Sequence, residues 1–373
     1  MPTELFIGLM SGTSVDSIDA ALIEFENDTL RIISTHEHPL PIELRNEVIE
    51  LCQPGTDEIN RLGRIDRKLG ALFADAAIAL LEKQKLAAEQ ISAIGSHGQT
   101  IRHHPCSDTV NSSQGFTLQI GDPNTIAAIT QITTVADFRR RDVALGGQGA
   151  PLAPIFHQAM FASSSHNRAV INIGGIANIS YLPIDGEPMG FDCGPGNGLM
   201  DLWIQRHRGE NYDNKGQWAS EGKYNTKLLT ELQNEPYLEL PFPKSTGREL
   251  FNEKWLNYKL SKVDISNTAD IQATLLEFTA RTIQAHISIL PATISQIFLC
   301  GGGAYNSLLT ARLKSLLQPS TIFSTSALDI APEWVEAAAF AWLARQTLRG
   351  LPGNLPSVTG ASSLSILGAV YPI

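Results

Sequence analysis

Leu5-Phe6-Ile7-Gly8-Leu9-Met10, the turn Ser11-Gly12-Thr13-Ser14 and the apolar run from Ile18 to Phe25 together decide the fold. The first six residues read as a buried strand. The next four are small or polar turn formers, and the run that resumes ends at a second turn, Asn27-Asp28. This is hairpin grammar, with a first turn longer and more polar than a minimal one. A comparable unit stands in the second half. There Arg168-Ala169-Val170-Ile171-Asn172-Ile173 runs into Gly174-Gly175-Ile176-Ala177, and Asn178-Ile179-Ser180-Tyr181-Leu182 returns. A strand-glycine-strand hairpin in each half predicts a duplicated α/β unit. A third glycine turn, Gly301-Gly302-Gly303-Ala304, follows the apolar Gln296 to Cys300 and opens a helical segment over Ser307 to Leu317.

Outward from these hairpins the pattern alternates. Leu44 to Cys52 and Ile59 to Lys85 carry helical spacing, and Ile91 to Gly95 is a short buried strand ending in Ser96-His97-Gly98-Gln99-Thr100. Asn211 to Pro243 is polar and rich in Asn, Gly and Lys, and reads as a surface insertion or an excursion between lobes. For the last helix, Pro332 suits a first helical position and Gly350 a stop. Trp334, Val335, Ala338, Ala339, Trp342 and Leu343 share one face.

The totals bound the function. A chain of 373 residues is longer than one core usually carries, so two lobes are expected: 1–135 with about 346–373, and 136–345. Hydrophobic content of 43% with 18% charged residues suits a globular enzyme. The net charge of −10 argues against nucleic acid as a partner, and Arg139-Arg140-Arg141 is flanked by Asp137 and Asp142. The stretch Met1 to Met10 lacks a basic n-region and contains Glu4, so it does not read as a signal peptide. No run of about 18 apolar residues predicts a membrane span. Cys52, Cys106, Cys193 and Cys300 form no C-x-x-C pair, so neither a zinc site nor a disulfide framework is indicated. A cytoplasmic protein is expected.

The familiar P-loop, dinucleotide and zinc-protease motifs are absent. What remains is three glycine turns. Each can present backbone N–H groups to phosphate, because glycine permits close approach. Asp16 and Asp19 follow the first turn and either hold Mg²⁺ through water or only shape the hairpin. Asp192, in Gly190-Phe191-Asp192-Cys193-Gly194-Pro195-Gly196-Asn197, either points into a cleft or makes an Asx turn. Glu336 either complements a helix dipole or faces a ligand pocket. Asp137 and Arg139, after the apolar run from Ile132 to Ala136, either grip a sugar or form a structural ion pair. Gly146-Gly147-Gln148-Gly149-Ala150-Pro151 reads as a loop that approaches a ligand, or as a hinge. Of the histidines, His97 stands out, because it lies in a loop at a strand end, where ligand contacts collect. His103, His104 and His157 lack metal-ligand spacing.

In this order, Gly8 to Asp16, Ser96 to Thr100, Gln119 to Pro123, Val135 to Arg139, Gly146 to Pro151, Asn172 to Asn178, Phe191 to Asn197 and Val335-Glu336-Ala337 resemble the anhydro-N-acetylmuramic acid kinases over nearly the whole chain. The resemblance implies the two-lobed actin, Hsp70 and hexokinase fold (ribonuclease H-like), with a mixed sheet in each lobe and ATP in the cleft between. It implies an ATP site made of Gly12, Thr13, Ser14, Val15, Asp16, Ser17, Ile18, Asp19, Asn172, Gly174, Gly175, Gly301, Gly302 and Gly303, with Mg²⁺ near Asp16. Asp192 falls on the family's catalytic aspartate and Glu336 on an acid of the sugar site. His97, Gln99, Thr100, Asp137, Arg139 and Asn197 would bind the sugar. Homodimerisation is expected on the same ground. The family's reaction opens a 1,6-anhydro sugar and phosphorylates its O6 during cell-wall recycling. Two positions depart from the family pattern: Ser17 stands where Gly is usual, and Cys193 where Thr is usual. Ser17 would lower ATP affinity if its position needs positive φ. An ordinary sugar kinase, an ATP-binding chaperone or sensor module of the same fold, and a metallohydrolase, against which the missing histidine pairs weigh, are the rival readings.

Overall fold

The structure, a computed structural model, describes residues 3–12, 15–105, 114–247 and 250–373. Thr13 and Ser14 of the first turn, and Cys106, lie outside them. The chain opens with β1 (Glu4–Met10), β2 (Ser17–Glu26), β3 (Thr29–Pro39), α1 (Ile42–Leu51) and α2 (Glu58–Gln84). Next come β4 (Ala93–Ser96), β5 (Gln99–His104), β6 (Phe116–Ile120), α3 (Pro123–Thr130), β7 (Thr134–Ala136), α4 (Arg140–Ala144) and α5 (Ala153–Phe161). A second body follows, with β8 (Arg168–Ile173), β9 (Ile176–Leu182), β10 (Met189–Pro195), α6 (Gly198–Arg208), α7 (Gln217–Glu221) and α8 (Thr226–Gln233). It continues through α9 (Glu253–Leu260), α10 (Thr268–Ser288), β11 (Gln296–Cys300), α11 (Ser307–Leu316) and β12 (Thr321–Ser324). The chain ends with α12 (Val335–Leu348), α13 (Pro356–Thr359) and β13 (Ala369–Tyr371).

These elements form two compact units, Met1–Met160 with Trp334–Ile373, and Phe161–Glu333. The sheet of the first runs β13-β7-β4-β1-β2-β3, and that of the second β10-β9-β8-β11-β12. In the first, β1, β2 and β3 are antiparallel neighbours, while β4 adds parallel to β1 and β7 parallel to β4. In the second, β8, β9 and β10 are antiparallel, while β11 adds parallel to β8 and β12 parallel to β11. The two five-strand arrangements are the same, so the duplicated, ribonuclease H-like mixed α/β architecture is present, one copy in each unit.

The unit boundaries fall at 160/161 and 333/334, not at 135/136 and 345/346. Residues 136–160 and 334–345, expected in the second lobe, belong to the first. The cause is long-range pairing: β7 sits between β4 and β13, and α12 lies across β1 and β4. The stretch Asn211 to Pro243 is no excursion either. Trp218, Ala219, Leu228, Leu229, Leu232 and Tyr237 belong to the core of the second unit, because α7 and α8 turn an apolar side onto α10.

The final helix also differs from its one-sided reading. Pro332–Trp334 is a separate 3-10 turn, and α12 proper is buried on nearly every side from Val335 to Arg345. Glycine makes this possible. A Cβ on Gly8 would stand 1.8 Å from the Ala337 carbonyl oxygen, and one on Gly95 would stand 2.0 Å from that of Phe340. The helix backbone therefore rests directly on β1 and β4. Among the described residues no helix is long and apolar enough to cross a membrane.

Candidate active site

In the first unit the β1–β2 turn is tied from below. The Ser11 hydroxyl lies 2.8 Å from Gln99 Oε1 and 3.1 Å from the Ser17 carbonyl oxygen. Gln99 is almost fully buried and also donates from Nε2 to the Thr100 carbonyl at 3.2 Å. Thr100 Oγ1 accepts from Gln119 Nε2 at 3.1 Å. Val15 carries the turn's strain, with φ of 54°, a conformation costly for a β-branched residue. Ser17 has no positive φ, so its position does not need glycine. Its N–H donates to Asp16 Oδ1 at 3.1 Å, Ile18 is wholly buried, and a Cβ on Gly12 would meet nothing within 4 Å among the described residues. Asp19, half-buried on β2, has its carboxyl pushed up to about 7. Burial is the main cause, and the charges of Glu37, Glu336 and Asp16 add to it.

At the ends of β4 and β7 a second cluster forms. Arg139 donates from Nε to His97 Nε2 at 3.1 Å and from Nη1 to the Gly149 carbonyl at 2.7 Å. The buried Asp142 secures that loop. It accepts from the Gly149 N–H at 2.7 Å, from Thr359 Oγ1 at 2.7 Å and from Asn354 Nδ2 at 2.9 Å. Residues 146–151 are thus fastened at Gly149, which does not fit a free hinge. Asp137, with φ of 60°, accepts from the Tyr371 hydroxyl at 2.6 Å and pairs with Arg140 Nε at 3.0 Å. Glu336 lies in the first turn of α12. Burial raises its pKa, and the nearby Arg139 guanidinium opposes the rise. His97, Gln119, Asp122, Asp137, Arg140 and Tyr371 help line a polar pocket of about 200 Å³.

In the second unit the register sets Asn172 opposite Asn178, and Asn178 opposite Asp192. Directly paired residues share a sheet face, so the three side chains form a row across β8, β9 and β10. The Oδ1 atoms of Asn172 and Asn178 are buried without a hydrogen-bond partner. A bulge after Asp192 places Cys193 inward, where its thiol donates to the Ala177 carbonyl at 3.2 Å and burial pushes its pKa well up. A donor contact of this kind is open to threonine too. Asp192 Oδ2 accepts from the Thr246 N–H at 3.0 Å.

The glycines of this unit pack backbone on backbone. The Gly174 carbonyl accepts from the Asn197 N–H at 2.7 Å, and that of Gly175 from the N–H groups of Gly196 and Gly198. Gly301, with φ of 74°, leaves no room for a Cβ, which would lie 2.3 Å from Asn172 Oδ1. A Cβ on Gly302 would meet only Asn197 Nδ2, at 3.9 Å, whereas one on Gly303 would meet Ile173 Cγ2 at 2.3 Å. Asn197 donates from Nδ2 to the Ile173 carbonyl at 3.3 Å, which joins it to the glycine hairpin. The first unit therefore gathers Asp16, Asp19, His97, Gln99, Arg139 and Glu336, and the second gathers Asn172, Gly174, Gly175, Asp192, Asn197 and Gly301–303.

Sequence reasoning took Asn178 only as the end of the second hairpin and missed Lys244 and Thr246, which lie in an irregular stretch that carries no pattern. Among the described residues no group of three or more His, Cys, Asp or Glu side chains is arranged to hold a metal ion.

Duplicated sheets with glycine turns and acids at their strand ends define a ribonuclease H-like two-unit α/β protein. Residues 4–373 match the sequence model of the family described as anhydro-N-acetylmuramic acid kinase. A relative of that name from Shewanella pealeana is 52% identical over 373 residues, covering all of both chains. One from Shewanella oneidensis is 54% identical over 367 residues, 98% of each chain. One from Coxiella burnetii is 52% identical, covering all of this chain and 98% of its own. The chain belongs to this kinase family.

Proposed function

We propose that the protein is an ATP-dependent kinase that hydrolyses the anhydro bond of 1,6-anhydro-N-acetylmuramic acid and phosphorylates O6. The products are N-acetylmuramic acid 6-phosphate and ADP, and the place of the reaction is the recycling of cell-wall amino sugars. The observation that carries the reading is Asp192, a carboxylate held by a backbone N–H beside the bulge of β10, in a chain whose residues 4–373 match this family.

The chemistry divides as follows. Water attacks the anomeric carbon, the C1–O6 bond breaks, and O6 takes the γ-phosphoryl group as the bond to the ADP oxygen breaks. Asp192 accepts the proton of the attacking water, the part a general base plays in inverting glycosidases. Capture by phosphorus replaces the acid that would otherwise protonate the leaving oxygen. Glu336 and Arg139 position the sugar, with His97, Gln99, Thr100 and Asp137 supporting them and Asn197 supporting the second hairpin.

The nucleotide fits the glycine turns. Open space at Gly12 in the first unit suits close approach of phosphate oxygens, and that at Gly302 in the second suits a nucleoside. Mg²⁺ fits the first turn. Asp16 and Asp19 follow it, and burial, helped by the charges of Glu37, Glu336 and Asp16, pushes the Asp19 carboxyl up to about 7. A cation held by one or two carboxylates and the phosphates would offset those charges and supply charge neutralisation in phosphoryl transfer.

The test is ADP release with ATP and Mg²⁺, with and without 1,6-anhydro-N-acetylmuramic acid, and with free N-acetylmuramic acid as control. ADP formed only with the anhydro sugar, together with a 6-phosphorylated product, is the expected result. Activity with the free sugar alone would make the protein an ordinary sugar kinase.

A further inference from the structure

Lys244 is a buried lysine whose ammonium is held by two carbonyls and a histidine ring. Its side chain turns inward from the irregular stretch after the 3-10 turn Pro236–Glu239, and only 7% of the residue is exposed. Nζ donates to the Tyr237 carbonyl at 3.1 Å, to the Leu238 carbonyl at 3.0 Å and to His286 Nε2 at 2.9 Å. An ammonium has three donors, and these contacts use all three. The Tyr237 ring lies 4.8 Å from Nζ and adds a cation–π contact.

His286, buried on α10, fits the role of acceptor. Its Nδ1 lies 2.8 Å from the Thr282 carbonyl, which can only accept, so Nδ1 carries the proton and Nε2 is left bare toward Lys244. Burial lowers the pKa of both groups, which favours the neutral imidazole.

The segment clamped in this way is the one that touches Asp192. The Tyr237 hydroxyl donates to the Asp192 carbonyl at 2.7 Å, the Asp192 N–H donates to the Lys244 carbonyl at 3.2 Å, and the Thr246 N–H reaches the carboxylate. The strap therefore meets Asp192 at its N–H, its C=O and its carboxylate. The Lys244 side chain closes the strap into a ring through Tyr237 and Leu238 and bolts it to α10.

We infer that Lys244 and His286 are positioning residues that fix the Asp192 carboxylate through the 237–246 strap. The inference rests on the base role proposed for Asp192, but the clamp itself can be tested without turnover. Lys244→Met removes the donors and keeps an apolar arm. The expected result is a kcat lower by at least about 30-fold, in line with the cost of misplacing a catalytic group. Nucleotide affinity should stay within about twofold, since its proposed contacts are elsewhere. By hydrogen exchange, the amides of Thr246 and Asp192 should exchange faster, with β8 and β11 unchanged.

A kcat within about threefold of wild type with native exchange at Thr246 overturns the proposal. So does faster exchange across the whole unit with an equal loss of nucleotide affinity, which would make Lys244 a packing residue. If Lys244→Met fails to fold, His286→Leu, which removes the third acceptor together with the ring's bond to the Thr282 carbonyl, is read by the same criteria. If the wild-type chain does not turn over the anhydro sugar, the functional reading falls, and exchange at Thr246 alone decides the clamp.

Discussion

The ring of His97 accepts a hydrogen bond from the guanidinium of Arg139, with 3.1 Å between Arg139 Nε and His97 Nε2. The other ring nitrogen lies 2.8 Å from the Gly98 carbonyl, so the proton sits on Nδ1. Burial, then the Arg139 charge, hold the pKa well below the usual histidine value. His97 is therefore a neutral prop for Arg139, and proton transfer near pH 7 does not suit it. We expect His97→Ala to lower kcat/KM for the sugar about tenfold, the loss of one well-placed contact. The KM for ATP should stay nearly unchanged. Initial rates against each substrate check this; equal losses for both would instead mean general damage to the unit.

The glycines of the first unit separate packing from binding. Gly95→Ala drives a Cβ into the Phe340 carbonyl and to 2.9 Å from Ala344 Cβ, both on α12. Neither can yield cheaply, so the variant should lose about 3 kcal/mol or more of stability. Because Glu336 stands on the same helix, activity should fall with stability. Gly12→Ala meets nothing within 4 Å among the described residues, so its stability should stay within about 0.5 kcal/mol of wild type. Its ATP affinity should drop, because the added methyl occupies the proposed phosphate approach. Urea denaturation and nucleotide titration of the two variants measure these opposite patterns.

Both hairpins were legible in the sequence because a buried strand and a glycine turn leave a local signature. Asp192 drew attention by the Gly-Pro-Gly turn behind it and Glu336 by its small and apolar neighbours, while the roles proposed for both come from the family resemblance. The direction of α12 was not legible: its alanines read as one face of an amphipathic helix, whereas Gly8 and Gly95, more than 240 positions earlier, let both sides be buried. The unit boundaries were hidden for a similar reason, since β13 pairs with β7 across most of the chain. Asp137 and Arg139, two positions apart in the motif, take different partners. One is taken by Tyr371 and Arg140, the other by His97 and Gly149. Lys244 had no signal at all, because its partners are carbonyls and a histidine brought in by α10.

Asp19 makes stability depend on pH in a direction opposite to that of a salt-bridged acid. Its folded pKa is about 7, against a model-compound value of 3.8. The folded protein therefore favours the protonated form, and Asp19 contributes stability that is complete below about pH 4 and lost as pH rises through about 7. Asp19→Asn removes this loss. The variant should match wild type near pH 4 and exceed it by about 1 kcal/mol or more at pH 8, with the gap opening between those values. Added Mg²⁺ with nucleotide should narrow the gap by stabilising the wild-type carboxylate. Thermal unfolding across pH measures it; a gap that opens toward acid would refute the raised pKa.

Asp192→Asn distinguishes a base from a structural acid. The strap bonds to the backbone of residue 192 do not involve the side chain. The Thr246 N–H can still be accepted by the carboxamide oxygen, whose geometry matches the carboxylate oxygen it replaces. The fold and nucleotide affinity should therefore survive. What is lost is the ability to take a proton from water, so kcat should fall by about 10²–10⁴, the usual contribution of a general base. Single-turnover rates with the anhydro sugar, beside nucleotide titration, separate the two effects. Residual turnover within about tenfold of wild type would remove Asp192 as the base and make its bond to Thr246 a device for shaping the strap alone.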